Sequence, residues 1–401
     1  MSRDTRLFLF LAILLVLVAA GVIFLLLPRL EADNQSEPAG QIGYPSDTVR
    51  ARVVEVLETG ESTVGNLPQE YSILRVEVVE GRWQAQQFEI TYGLNQITPS
   101  GFDFRTGDEV LITVGQNADR VLSAFFTDFI RIRPLLWLFA TFVIFIVLIS
   151  GWKGVRALLG MAFSLLVIFT YIIPNILQGD DPVLVSILGA FVLLSVTLYI
   201  VYGWTLKSHA AVVGTLIALV ITGLLAGFFV NLTRLTGFES EEAMFLLQQS
   251  AVQINLQGLL LGGMLIGALG VLDDLVITQS SVVFEIRDTD PALSLGSLFW
   301  RAMRVGQDHV AATVNTLVLA YTGAALPMLL LFSLSGDSFG NLVNLEFIAV
   351  EIVRTLVGSL GLIAAVPITT GLASALAVYR TRLGRIEPYL GPEGGGHGHA
   401  H

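Results

Sequence analysis

From Pro134 onward the chain is almost continuously compatible with hydrocarbon. Runs of about 20 apolar residues follow one another at 135–152, 157–177, 182–204, 210–232, 256–286, 310–334 and 347–379. A helix rises about 1.5 Å per residue, so about 20 such residues cross the roughly 30 Å core of a bilayer. An earlier run, 7–27, follows Arg3 and Arg6 and ends Leu-Leu-Leu-Pro-Arg. A signal peptide has a shorter apolar core and ends in small residues, so this run reads as an uncleaved anchor. Backbone polar groups in lipid must be satisfied within the segment itself. The expected fold is therefore a membrane all-α bundle of about eight transmembrane helices.

Composition agrees. Of 401 residues, 54% are hydrophobic and 14% charged, against about a quarter charged in soluble domains, and mean hydropathy is +0.73. The formal charge of −11 argues against a nucleic-acid partner, because phosphate binding needs a basic surface. With no cysteine, disulfides, thiolate nucleophiles and zinc–thiolate sites are excluded. The expected partners are the lipid bilayer and a small ion or small molecule. No cofactor is expected, and a homo-oligomer is left open.

Residues 29–133 differ from the rest. Period-two patterning at 49–57, 71–79, 87–92 and 109–114, between Gly, Pro and Asn breaks, predicts strands. A small β-barrel or sandwich is expected between helices 1 and 2, after a loose linker at 31–47. The domains are thus an anchor (1–28), the β-domain (29–133), a seven-helix domain (134–386) and a disordered Gly/His tail (387–401) carrying His397, His399 and His401. Arginine and lysine near span ends favour the cytoplasm. Lys153, Arg156, Lys207, Arg287, Arg301, Arg304, Arg380, Arg382 and Arg385 then place both termini inside and the β-domain outside; Arg131 and Arg133 are the exceptions. Amphipathic stretches at 239–255 and 292–304 read as helices lying in the interface.

One run contains two adjacent carboxylates, GALGVLDDLVITQSS at 267–281. A charge at the bilayer centre costs about 2.5–3.5 kcal/mol on insertion scales, so such a residue is a functional hypothesis by default. At 100° per residue, Gly263, Gly267, Gly270, Asp274, Thr278, Ser281 and Glu285 fall on one face, small above and polar below. The glycines are expected to let another helix approach closely, and the polar half to line an ion or substrate site. Asp273, about 100° away with Gly262 and Ser280, is the less favoured of the two aspartates.

The next span is expected to face this stripe, with Asp308, Asn315 and Thr322 every seven residues; Asn315 can donate and accept. In the last run Glu351 and Arg354, three apart, can form a salt bridge. Neither a His-Glu-x-x-His zinc motif nor a Gly-x-x-x-x-Gly-Lys phosphate loop occurs. Two aspartates side by side on one helix cannot face each other as an intramembrane aspartyl protease requires. The chain is read as a non-enzyme: an ion-coupled transporter or channel first, a cell-envelope scaffold or sensor second.

The same stretches resemble the YibE/YibF family of bacterial multi-pass membrane proteins. The resemblance runs in order through GWKGVRALL, GDDPVLVSIL, LKSHAAVVGTL, GALGVLDDLVITQSSVVFEI, VNTLVLAYTGAALP and EIVRTLVGSLGLIAAVPITT, with TGDEVLITVG in the outer domain also similar. It implies the bacterial cytoplasmic membrane and one aspartate in the sixth-span motif, which falls on Asp274, with Ser281 and Glu285 also matching. The sequence departs from that pattern at Asp273, where an apolar residue is usual. No defined chemistry comes with the resemblance.

Overall fold

The computed structural model describes residues 46–94, 97–99, 101–116, 122–250, 252–336 and 338–380. The expected anchor, nearly all of the 31–47 linker and the His-containing tail lie outside these residues. The chain divides into two compact units, the first ending at Leu148 and the second beginning at Ile149.

The first unit is built on a five-stranded antiparallel sheet. Its strands are β1 (Ser46–Val64), β2 (Leu67–Val78), β3 (Gln87–Tyr92), β4 (Glu109–Gln116) and β5 (Leu122–Phe129), in the order β3-β2-β1-β4-β5. Alternation decides which face is covered. Leu74, Val76 and Val78 on β2 are buried, opposite Ile90 and Phe88 on β3 and Val53 and Ala51 on β1. Val110 and Ile112 continue the layer from β4. Fully burying one such side chain contributes about 1.5–3 kcal/mol. The sheet curls into a half-barrel, and aromatic rings join its edges: Tyr92 of β3 lies 5.0 Å from Phe126 of β5, with Phe104 5.1 Å away. The polar face carries charge pairs such as Arg75–Glu55 at 2.8 Å and Arg50–Glu80 at 3.0 Å, which stabilise little where exposed.

Ten helices follow among the described residues: α1 (Ile132–Val167), α2 (Ile173–Leu177, entered through a π turn), α3 (Pro182–Tyr202), α4 (Leu206–Leu232), α5 (Glu241–Gln249), α6 (Leu256–Thr289), α7 (Leu295–Ala324), α8 (Leu326–Ser335), α9 (Phe339–Leu342) and α10 (Glu346–Tyr379). Local signals set their starts. The Asp181 carboxylate accepts from the backbone N–H of Val183 and Leu184, both at 2.9 Å, ahead of α3. Asn255 caps α6 at Gly258 N, 3.0 Å. Such caps satisfy N–H groups that have no partner within the helix. The Glu346 carboxylate ties the start of α10 to the loop after α4 by accepting from Thr236 Oγ1 at 2.8 Å and Gly237 N at 2.9 Å.

By length and composition, five helices among the described residues could cross a membrane, or six if α7 and α8, bent by 61°, form one broken span. The sequence reading has seven in this stretch. Its runs 135–152 and 157–177 fall in one helical stretch, Ile132–Leu177, interrupted at Gly151. There φ is 58° and ψ −133°, backbone open in practice only to glycine. Counting apolar residues measures how much chain can enter lipid, not where a glycine or proline divides it. The expected interfacial helix at 239–255 is α5, with no buried residue, whereas 292–304 runs into α7.

α6 is the centre of the second unit, in contact with α3, α4, α7 and α10. Backbones approach closely where glycine meets a hydroxyl residue. Gly262 packs on Ser186 of α3, Gly214 of α4 on Thr369 of α10, and Gly361 of α10 on Thr222 of α4. In lipid, where apolar burial drives little association, this close packing holds helices together.

Candidate functional site

Asp273 and Asp274 stand at the eighteenth and nineteenth positions of the 34-residue α6, about halfway along some 50 Å of helix. Adjacent residues diverge by about 100°, so the two carboxylates enter different surroundings. Gly262 and Ser280 lie within about 20° of Asp273 around the helix axis. Gly262 abuts Ser186 of α3, and Ser280 Oγ donates to the Lys207 carbonyl of α4 at 2.9 Å. Asp273 therefore points into the seam between α3 and α4. Its Oδ1 is buried and has no hydrogen-bond partner among the described residues. Tyr202, the last residue of α3, is within electrostatic reach of both carboxylates.

Asp274 is exposed, as are Gly263, Gly267, Gly270 and Glu285 on the same stripe, while Thr278 and Ser281 are half-buried. Most of the remaining positions of α6 are covered. The stripe is the open side of an otherwise enclosed helix, which corrects the expectation that its glycines hold a helix contact. A Cβ on Gly263 or Gly270 would meet nothing within 4 Å, and one on Gly267 only Tyr321 Oη at 3.8 Å. Close approach falls to the other glycine row, Gly258 and Gly262. Periodicity identifies both rows but cannot tell which one a neighbour occupies.

Gly267 contributes to a small crevice shared with Leu317 and Tyr321 of α7 and Arg354 and Gly358 of α10; its volume is about 10 Å³, about what one water needs. Arg354 pairs there with Glu351 through the expected i, i+3 contact. Farther along, Glu285 meets Lys207 of α4 at 3.6 Å, so this stripe carboxylate already faces a protein cation. Asn315 is not brought to the carboxylates. α7 buries Leu298, Ala302, Gly306 and Leu317; Asn315 is exposed and about 160° around the helix from Leu317.

Sequence reasoning missed Gln279. This amide is buried and donates to Ala302 O of α7 at 3.1 Å and Thr370 Oγ1 of α10 at 2.7 Å, linking three helices. An amide in an apolar run was the available signal. Another missed pattern is Gly-x-Ser-x-Gly at 336–340, but a nucleophile elbow needs a strand leading into a helix. Here Ser338 lies between α8 and α9.

No cluster of three His, Cys, Asp or Glu side chains among the described residues could hold a metal ion. The arrangement instead offers one half-buried and one open carboxylate at mid-helix, ion pairs above and below them, and hydroxyl and amide groups between helices.

A family model for YibE/F-like proteins matches residues 138–378. The chain belongs to the YibE/F-like family. The match covers α3, α4, α6 and α7 in full and reaches residue 378 of α10, so every helix around the carboxylates falls within the family's shared region. No curated protein and no solved structure matches the chain.

Proposed function

We propose that this YibE/F-like chain is a membrane transporter or channel for a small cation, a proton or a metal ion, with the α6 carboxylates at its ion site. One observation carries the reading. The most enclosed helix of the bundle leaves a single stripe open, and that stripe carries Asp274 at mid-length beside an inward-pointing Asp273. Carboxylates in a span that face protein or water, rather than lipid, are the usual mark of an ion path. The broken pair α7–α8 is the kind of interruption that transport folds use near their sites. The reading includes eight spans in a bacterial cytoplasmic membrane, both termini inside and the β-domain outside, on the charge asymmetry described above.

The β-domain supports a second reading, a cell-envelope sensor or scaffold. A cavity of about 440 Å³ lies among Gly60, Tyr71, Tyr92 and Phe102–Phe104, with Glu61 and Glu70 at its wall, within the range of ligand pockets. A flux screen in proteoliposomes across protons, monovalent and divalent cations separates the two. Flux in wild type that Asp274→Asn abolishes supports transport; no flux of any ion favours the sensor.

A further inference from the structure

We infer that the transported ion is a proton and that Asp273, in the α3–α4 seam, is the group that takes it up. This rests on the transport reading and names its substrate. The donor set argues first. Calcium takes 6–8 oxygen ligands, magnesium close to six and zinc four. No group of three His, Cys, Asp or Glu side chains that could hold a metal ion forms around Asp273 among the described residues, and its one carboxylate neighbour, Asp274, leaves the helix about 100° away. Backbone carbonyls, which coordinate metal ions where transport helices are broken, are occupied here. α3, α4 and α6 run uninterrupted past this level. A single carboxyl without further ligands is enough for a proton alone.

The surroundings argue next. Asp273 is half-buried, and its Oδ1, sealed from water without a donor, is costly as a bare charge; among the described residues no protein cation is placed to compensate it. On the packed helices, Lys207 is paired with Glu285 and Arg354 with Glu351. His209 meets Tyr199 Oη at 2.8 Å. The Glu346 carboxylate accepts from Thr236, and Arg301 pairs with Asp290. Arg304, Asp308 and His309 belong to α7, away from the α3–α4 seam. The charge that bears on Asp273 is that of Asp274; the Tyr202 phenol is an ionisable neighbour, and on α1, which packs on the end of α3, the Arg156 guanidinium lies beside Gly203 without acting on Asp273. The proton adds to an Asp273 oxygen and later leaves the same carboxyl, with no other bond changed. The family resemblance places its aspartate at Asp274, so the inner step at Asp273 is particular to this chain.

The test is proton flux into vesicles holding a pH-sensitive dye, for wild type, Asp273→Asn, Asp273→Glu and Asp274→Asn, with all metal cations replaced by N-methylglucamine. Expected are undiminished wild-type flux, at least a tenfold loss in Asp273→Asn and recovery to within a few fold in Asp273→Glu. Flux that needs a metal cation overturns the proton while leaving the transport reading standing. Wild-type flux in Asp273→Asn returns the role to Asp274 and overturns the inner site. No flux of any ion removes the transport reading and this inference together. If Asp273→Asn fails to fold, wild type can be treated with dicyclohexylcarbodiimide, which modifies buried protonated carboxyls. An adduct on Asp273 supports the inference, and one confined to other carboxylates overturns it.

Discussion

Gly262→Val and Gly267→Ala alter glycines five residues apart on α6, and the structure predicts effects of opposite sign. A Cβ on Gly262 would stand 3.2 Å from Pro182 O and 3.2 Å from Ser186 Cβ, and nearer still to the Ser186 hydroxyl. Two of these atoms belong to backbone or stem in the first turns of α3 and cannot swing aside. Overpacking of this kind costs about 1–3 kcal/mol, and valine recovers only part of glycine's roughly 1 kcal/mol helix deficit. A net loss of about 1–2 kcal/mol lowers Tm by about 2–8 °C in a unit of this size. On Gly267 the nearest atom stands at 3.8 Å, ordinary contact. Alanine there keeps the propensity gain of about 1 kcal/mol, and Tm should rise by about 2–4 °C. Thermal unfolding of the detergent-purified protein, followed by tryptophan fluorescence, reads both. Equal loss in the two variants, or a larger loss at Gly267, would refute the assignment of the packed and open glycine rows.

Gln279→Ala leaves two buried acceptors without their donor, at about 1–3 kcal/mol, whereas Lys207→Ala breaks a pair whose Glu285 side chain is 68% exposed and should cost under about 1 kcal/mol; the reverse order in the same melts would contradict the burial argument. In the β-domain, Tyr71 Oη donates to Glu58 Oε1 at 2.5 Å, and this bond, with lesser help from desolvation and the Glu58 charge, raises the phenol's pKa above its usual value. Its stabilising contribution is present below the ordinary tyrosine pKa and is lost as pH rises through the elevated one. Glu58→Gln should bring the midpoint down in an absorbance titration differenced against Tyr71→Phe, and an unchanged midpoint would rule out the hydrogen bond as the cause.

The sequence shows period, and period shows which residues share a face. It therefore leads to β1 through β4, to the Glu351–Arg354 pair and to the line from Gly263 to Glu285. What covers a face depends on the neighbouring element. Hence periodicity alone does not tell the open glycine row from the packed one, nor which of Asp273 and Asp274 lies on the covered side. β5 was missed because Phe125 and Phe126 are adjacent, which breaks strict alternation, and the β4–β5 register shifts at Leu111/Ile112. Asn315 was expected to face α6 from its seven-residue repeat with Asp308 and Thr322, but α7 turns the line through Gly306 and Leu317 inward instead. Gln279 carried no periodic signal, since its partners are a backbone carbonyl on α7 and a hydroxyl on α10.

The central claim is that the open stripe of α6 meets water inside the membrane rather than lipid. The chain has no native cysteine, so single cysteines can be placed at Gly270, Asp274 and the fully buried Leu272 without further change. Reaction with a membrane-impermeant, water-soluble thiol reagent in native membranes should modify the cysteines at 270 and 274 at least tenfold faster than the one at 272. If 270 and 274 react as slowly as 272, yet are reached by a lipid-soluble maleimide, the stripe faces hydrocarbon and the ion path proposed along it does not exist.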